Sequence, residues 1–581
     1  MILDYSRDSL LTTFAIETLK DRYMIPGEAS PQDAFARAAK AFADDDDHAQ
    51  RLYDYCSKLW FMFSTPILSN GGTERGLPIS CYLQNVEDSR KGILDHYTES
   101  GWLSSMGGGL GAYWGNVRTS GSKTSKGSMS FGVIPFQKIL DALVMAFAQG
   151  GTRRASYAYY MPIDHAEIED SITARKPTGG DPNRKLLNLH NAVCITDKFM
   201  EAVKKGKSWK LKDPHSKKVV KTVQARDLWQ LILETRMSTG EPYIFFSDTV
   251  NRLRPAAYKA LGLEVLASNL CSEIVLTTDH NRTAVCCLSS VNLEKFEEWR
   301  QEPKFIEDLV RMLDNVLTFF AANAPTELWR ATYSVLRERS IGLGMMGFHA
   351  YLQNNDIPFE GPLAVGANLT MSTHIHEKAM AATRRLAKER GPAPDSTLED
   401  PVRNVHVIAV APNASTGILC NTSPSIEPLA ANAFTQKTLS GSFLVKSAAL
   451  ERLLEKRGRN DEETWQSIII NDGSVQHLDC LDTWEKDVFK TAYELDQHWV
   501  IRHVADRTPY VCQAQSTNLF FPPDVNLKYL NSVHLMAYNE GCKTLYYLRS
   551  KALKGADKIS EQIERIVRKE VDEEVCFGCQ G

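Results

Sequence analysis

Over the first 64 residues, apolar positions recur at spacings of three and four, in LLTTFAIETLKDRYM and DAFARAAKAFADDDD. That is the period of helices with one buried face. Pro26-Gly27 and Pro31 punctuate the stretch, and the acidic run Asp44–Asp47 reads as a solvated helix end rather than a metal site. From Thr65 the pattern changes. Short β-prone runs, among them PISCYLQNV, ASYAYYMPI, EPYIFFSD, TAVCCLSSVNL, NVHVIAVAPNAS and KTLYYLR, alternate with helical stretches to residue 550. Such alternation predicts an α/β fold. No fixed-period repeat or long low-complexity linker divides this region, and a barrel accommodates so large a domain better than an open sheet. Beyond it the chain is highly charged, with Ile559, Ile563, Ile566, Val567 and Val571 on one helical face ahead of a terminal VCFGCQG. Order is weakest at termini. The expected organisation is a helical region 1–64, an α/β domain 65–550 and a flexible tail 551–581.

Composition narrows the class. The 581 residues are 43% hydrophobic and 24% charged, an ordinary globular balance. A net charge of −4 argues against a surface that coats nucleic acid. No uninterrupted apolar run approaches the roughly 20 residues that span a bilayer. The N-terminal apolar stretch carries acidic residues and lacks a basic leader, so it is a poor signal peptide and the protein reads as cytoplasmic. In that compartment the 12 cysteines are free thiols, metal ligands or redox groups rather than staples.

Several constellations stand out against a background of small buried thiols. In 269-NLCSE-273, an extended backbone would set Asn269, Cys271 and Glu273 on one face. A carboxylate beside a thiol disfavours the thiolate; the arrangement suits hydrogen-atom chemistry, with the carboxylate taking a hydroxyl proton. The plainer interpretation is a buried strand cysteine. Cys81 lies in one strand-like run, and Cys286 and Cys287 in another; brought together, a pair would supply two electrons and close to a disulfide. A single CxxC without a second ligand pair disfavours zinc. That CxxC, Cys576 and Cys579, sits on the tail, where it is easily cycled between thiol and disulfide. Tyr546 and Tyr547 form either a packed aromatic pair or a relay of redox-active phenols. The loop 412-PNAST-416 follows an apolar run and could cradle phosphate. The segments 106-MGGGLG-111, 121-GSKTSKGS-128 and 149-QGGTRR-154 are mobile in composition. There is no P-loop and no credible dinucleotide fingerprint.

The ordered set TPI…SC, NLCSEI, CCLSSVNL, PNAST, SIEP, KTLYY and a terminal cysteine pair resembles the large catalytic subunit of class I (aerobic) ribonucleotide reductase, over residues 60 to 581. The resemblance implies a ten-stranded α/β barrel of two five-stranded halves with Cys271 on a central finger loop. It implies that Cys271 is a transient thiyl radical, Glu273 the base for the 3′-hydroxyl, Asn269 the amide that orients the substrate, and Cys81 with Cys286 the reducing dithiol. Cys286 matches by its distance to Ser289 and Asn292, whereas Cys287 departs from the pattern. Thr65, Ser80, Asn413, Ala414, Ser415 and Thr416 match substrate-binding positions. Tyr546 and Tyr547 match the radical relay, and Cys576 and Cys579 the redox shuttle. Asp88, Arg118 and Arg153 match effector-binding positions, on or beside the loops 119-TSGSKTSKG-127 and 149-QGGTRRAS-156.

The implied activity is reduction of ribonucleoside diphosphates to deoxyribonucleoside diphosphates, with specificity set by bound dNTP or ATP. The implied partners are a small subunit carrying a dimetal or metal-radical cofactor, thioredoxin or glutaredoxin, and a second copy in an effector-promoted homodimer. Neither nucleic acid nor membrane is expected as a partner, and no cofactor is expected on this chain. The chain starts almost where the N-terminal ATP-cone of longer relatives would end, which suggests a minimal form, as in viruses, without a dATP off-switch. The rivals are an adenosylcobalamin-dependent reductase, which does not need the tyrosine pair, and a non-catalytic nucleotide-binding assembly protein, which would have lost Cys271, Glu273 or the tail pair.

Overall fold

A computed structural model of the chain describes residues 1–147, 155–438 and 441–550. Helices α1 (Thr13–Arg22), α2 (Pro31–Ala41) and α3 (Asp46–Ser57) open the chain. The side chains of Thr12, Ser30 and Asp45 cap their first turns, each satisfying an otherwise orphaned backbone N–H. Already within the stretch read as helical, the short strand Phe61–Phe63 pairs with residues 289–291. Three buried residues are too few to display a strand period, which is why the helical pattern masks it.

The main body closes into a barrel. Strands β1 (Cys81–Asn85), β2 (Gly109–Tyr113), β3 (Ser156–Pro162), β4 (His190–Ile195) and β5 (Tyr243–Phe246) are successive parallel neighbours. Strand β6 (Ala284–Asn292) runs parallel to β7 (Ile341–Met346). Hydrogen bonds carry the sheet onward from β7 through extended segments. Ile341 and Leu343 donate to the carbonyls of His406 and Val407 at 2.9 and 2.8 Å, and Gln513 and Ser516 donate to Ile408 and Val410 at 3.1 and 2.9 Å. The segment after Ser516 becomes β8 (Leu519–Phe521). Beyond it, β9 (Thr544–Leu545) continues into β10 (Leu548–Ser550), and β8 and β10 pair in parallel. Each half thus has five parallel staves, and the expected ten-stranded barrel is present.

The halves meet antiparallel at two seams: β1 with β6, where Cys81 faces Cys286, and β5 with β9. Strands covered on both faces read as continuous apolar runs; β4 and β6 are buried at every position.

The segment around Cys271 threads the barrel as a finger, buried at every residue from Val275 back to Ala267. It is not extended. Ser272 lies in the left-handed region at φ +67°, and its N–H approaches the Asn269 carbonyl at 3.4 Å, so residues 269–273 form a tight turn. An unpaired backbone inside a barrel would be costly, and the finger's polar groups are met from both halves. Tyr160 of β3 donates to the Asn269 carbonyl at 2.7 Å. Ser516 donates to the Cys271 carbonyl, and the Ala514 N–H to the Glu273 carbonyl at 2.9 Å.

Gly111 of β2 lies directly beneath the finger. A Cβ there would sit 2.1 Å from the Ser268 carbonyl oxygen and 2.7 Å from the Asn269 Cα. Both obstacles are backbone, so the finger itself would have to move. Gly111→Ala is expected to cut turnover at least ten-fold while costing about 1–3 kcal/mol of stability through overpacking. Paired activity and thermal-unfolding measurements check this; full activity would show that the finger tolerates displacement.

Candidate functional site

The turn 269–273 gathers the residues singled out in the sequence. Asn269 holds the turn closed, its Oδ1 accepting the Ile274 N–H at 3.1 Å. Its Nδ2 lies 3.2 Å from the Cys81 sulfur. Glu273 Oε1 lies 3.8 Å from the same sulfur, and Oε2 accepts from the Ser516 hydroxyl at 3.2 Å. Amide, carboxylate and the Cys81 thiol therefore share one buried space, reached by a turn and not by the alternation of a strand.

Cys81 and Cys286 are direct partners across the antiparallel seam. Opposed Cα atoms in such a pair are roughly 4.5–5.5 Å apart, within the span a disulfide accepts. Both side chains join one small cluster with Leu83, Ile274 and Ala409. Cys287 points the other way into the main core, its sulfur 3.3 Å from the Leu313 carbonyl. Burial pushes the Cys286 thiol well above its ordinary pKa, with the neighbouring Cys287 adding to the shift. Gln513 steadies this region: its Nε2 approaches the Cys286 sulfur at 3.4 Å and donates to Ile341 at 3.0 Å, while its Oε1 accepts from Val275 of the finger at 3.2 Å.

On the other side of the finger, at the second seam, lie Tyr546 and Tyr547. Their ring centroids are 4.2 Å apart. Tyr243 of β5 packs against both, at 4.7 and 5.1 Å. The Tyr546 ring shares one buried cluster with the Cys271 side chain, and burial, followed by the neighbouring Cys271 and Tyr547, drives its pKa well above that of a free phenol. Cys271, Tyr546, Tyr547 and Tyr243 thus form one continuous cluster. The Arg549 guanidinium lies 4.3 Å above the Tyr547 ring.

The proposed phosphate loop follows the 406–410 segment. Asn413 adopts a left-handed conformation, φ +58°, and opens the short helix Ala414–Leu419, which contains Ser415 and Thr416. The Asn413 amide meets the Ser290 hydroxyl of β6 at 2.7 Å. Thr65 lies just beyond the strand that pairs with residues 289–291 and bonds to the Tyr23 hydroxyl at 3.1 Å. Ser80 is buried immediately before Cys81. Asn413 and the strand that leads to Thr65 thus meet the same end of β6, around residues 289–291.

Asp88 and Arg118 sit at a separate site. Arg118 binds Asp88 at 2.8 Å and donates to the Lys123 carbonyl at 2.8 Å. Asp213 anchors the same loop, accepting from the Thr119 N–H at 3.0 Å and from Ser122 at 3.2 Å. Although burial opposes its charge, hydrogen bonds from Ser216 and Thr119 hold the Asp213 carboxyl well below the usual range. Arg153, Cys576 and Cys579 lie outside the described residues.

Sequence reasoning missed Tyr160, Tyr243, Gln513, Ser516 and Asp213. Each comes from a segment distant in the chain and carries no local motif. The adjacency of Gln513 and Ser516 to an apolar strand is the one cue, and it is weak.

Comparison with known proteins places these features in a family. The family model of the ribonucleotide reductase barrel domain matches residues 79–397 and 394–548, and that of the all-alpha domain matches residues 9–76. A putative ribonucleoside-diphosphate reductase large subunit from Frog virus 3 is 48% identical over 536 residues, covering 92% of each chain. The ribonucleoside-diphosphate reductase large subunit of Invertebrate iridescent virus 3 is 40% identical over 638 residues, covering 100% of each. Among solved structures, the class Id ribonucleotide reductase alpha subunit of Actinobacillus ureae matches with a TM-score of 0.83 and 33% identity, covering 95% of this chain and 98% of that one. Fold, ordered motifs and full-length relatives agree, and the chain belongs to the ribonucleotide reductase large-subunit family of oxidoreductases.

Proposed function

We propose that this chain reduces ribonucleoside diphosphates to 2′-deoxyribonucleoside diphosphates by a thiyl radical on Cys271. The observation that carries the reading is the convergence, inside one closed barrel, of a tyrosine pair clustered with Cys271 and a carboxylate and amide beside a cross-strand dithiol. The hole reaches Cys271 from Tyr547 through Tyr546. The Cys271 thiyl takes the 3′-hydrogen and Glu273 takes the 3′-hydroxyl proton. The 2′-hydroxyl then leaves as water while Cys81 and Cys286 supply two electrons and become a disulfide, and Cys271 returns its hydrogen. Burial supports this order: it keeps thiols protonated, as hydrogen-atom transfer requires, and shields a carbon radical from solvent. Cys576 and Cys579 would reduce the internal disulfide and be reduced in turn by thioredoxin or glutaredoxin.

The oxidant that starts the sequence belongs to a small subunit carrying a metal or metal-radical cofactor. Asp88 and Arg118, with Arg153, would hold the dNTP effector, and the loop beginning at Thr119 would order around it. Exposed apolar side chains on α4 (Arg90–Ser105) and α5 (Ile134–Phe147), among them Leu94, Trp102, Ile139 and Phe147, support association with a second copy, since such faces mark interaction sites.

Three outcomes are expected. The purified chain with a cognate small subunit should reduce nucleoside diphosphates, and Cys271→Ser should lose at least a thousand-fold in kcat while still binding the small subunit. Turnover with adenosylcobalamin in place of the small subunit would overturn this reading. In a Cys576→Ser/Cys579→Ser chain taken through a single turnover without external reductant, peptide mapping should find a Cys81–Cys286 disulfide, and adding Cys287→Ser should leave that result unchanged. Asp88→Asn should weaken dNTP binding at least ten-fold in equilibrium dialysis and blunt the effector's control of substrate choice.

A further inference from the structure

The two sulfurs of the cross-strand dithiol differ in what closes them off. Cys81 and Cys286 oppose each other across the seam between β1 and β6, so a bond between them lies across the two strands. Beyond Cys286 the next stave is β7, and that side is filled. Gln513, fully buried, reaches in from there: its Nε2 donates to the Ile341 carbonyl at 3.0 Å and lies 3.4 Å from the Cys286 sulfur. A Cβ on Gly342 of β7 would stand 3.3 Å from that sulfur, and the Cys287 carbonyl lies 3.6 Å from it. Beyond Cys81 the next stave is β2, and the residue in register is Gly109, which has no side chain to stand in line with the bond. The Cys81 sulfur meets the polar groups of the finger, Asn269 Nδ2 at 3.2 Å and Glu273 Oε1 at 3.8 Å, in the space that the reading above gives to the nucleotide. Each sulfur thus has an amide donor, Asn269 for Cys81 and Gln513 for Cys286, but the side that faces the nucleotide space belongs to Cys81.

In thiol–disulfide exchange a thiolate attacks one sulfur of the bond, in line with it, and the other sulfur leaves as a thiolate. We propose that the Cys81–Cys286 disulfide reopens in one direction: the incoming thiolate bonds to Cys81, and Cys286 leaves first, its charge held by the Gln513 amide. Attack on Cys286 would have to come from the β7 side, through that amide; attack on Cys81 comes over Gly109 once product has left. In the first step a thiolate of the reducing dithiol forms a bond to Cys81, the Cys81–Cys286 bond breaks, and its electron pair stays on Cys286. A hydrogen bond to a charged sulfur is stronger than one to a neutral sulfur, so the Gln513 N–H, weak against a thiol, gains strength as that charge develops. Cys286 then takes the proton of the second reducing thiol. In the second step that sulfur, now a thiolate, displaces Cys81 from the mixed disulfide. Cys81 leaves beside the Asn269 amide and takes up the proton that the first reducing thiol released. The reducing dithiol ends as a disulfide, and Cys81 and Cys286 each regain one hydrogen.

This inference rests on the functional reading above, which gives the dithiol its role, and the two are separable because neither measurement needs turnover. Access is read in single-thiol chains that also carry Cys576→Ser and Cys579→Ser. With Cys286→Ser, Cys81 is expected to form a mixed disulfide with an aromatic disulfide at least ten-fold faster than Cys286 does in a Cys81→Ser chain, each adduct being located by peptide mapping. Equal or reversed rates would overturn the order of attack. The donor is read in Gln513→Glu, which keeps an acceptor for Val275 but offers at most one donor proton, for which the closer Ile341 carbonyl competes. Dithiothreitol should reduce its preformed Cys81–Cys286 disulfide at least ten-fold more slowly than that of wild type. The equilibrium constant of the same disulfide against glutathione should stay within two-fold, since a protonated dithiol gains little from the amide. A reduction rate within two-fold of wild type would overturn the role of Gln513. So would a loss matched by an equal shift in the equilibrium constant, which would mark a structural role. Absence of nucleotide reduction in the wild-type two-subunit complex would instead refute the functional reading.

Discussion

The structure depends on one constraint: a stretch of backbone bearing Cys271 must be held inside a closed barrel, where each unpaired N–H or carbonyl is costly. Loops normally avoid this by lying on the surface. Here the finger is paid for by bonds from both halves. Tyr160 binds it from β3, Ser516 and Ala514 from the strand segment opposite, and Gln513 ties Val275 to the Cys286 side. Asn269 closes the turn from within. The close approach at Gly111 completes the fit, since any side chain there would meet finger backbone. Among the residues that hold the loop, Asn269, Gln513 and Ser516 also touch Cys81, Cys286 and Glu273, so loop stability and site geometry are one property.

The two-half architecture explains why the chemistry lies where it does. Within each half all staves are parallel, and antiparallel pairing occurs in the barrel wall at the two seams. An antiparallel seam sets two residues face to face in fixed register. At one seam this opposes Cys81 and Cys286. At the other, β9 is anchored on Ile244 and Phe245, which delivers Tyr546 and Tyr547 against Tyr243. The finger crosses between the seams. Its carboxylate and amide meet the dithiol on one side, and Cys271 meets Tyr546 on the other. The tyrosine pair and the cross-strand dithiol are thereby kept on opposite sides of Cys271.

Much of this was legible in the chain. Apolar runs of strand length marked most of the staves, and the ordered motifs named the groups that converge. What escaped had a common physical cause. The Cys271 segment reads as extended because short alternation is shared by strands and tight turns; the left-handed Ser272 leaves no local signal, since serine is not a residue that requires that conformation. The strand Phe61–Phe63 hides at the edge of a helical pattern. Tyr160, Gln513, Ser516 and Asp213 act through contacts more than 90 residues apart in sequence, which no window of local periodicity can reveal. The choice between Cys286 and Cys287, by contrast, follows from strand alternation alone once the pairing partner is known, because neighbouring residues face opposite sides of a sheet.

Burial also sets the kind of chemistry available. It drives the phenols of Tyr546 and Tyr243 and the thiol of Cys286 strongly toward their neutral forms. Ionic nucleophiles are therefore disfavoured throughout the cluster, and any oxidation of a buried phenol must move a proton together with the electron. Between stacked neighbours that transfer is short, because donor and acceptor already touch.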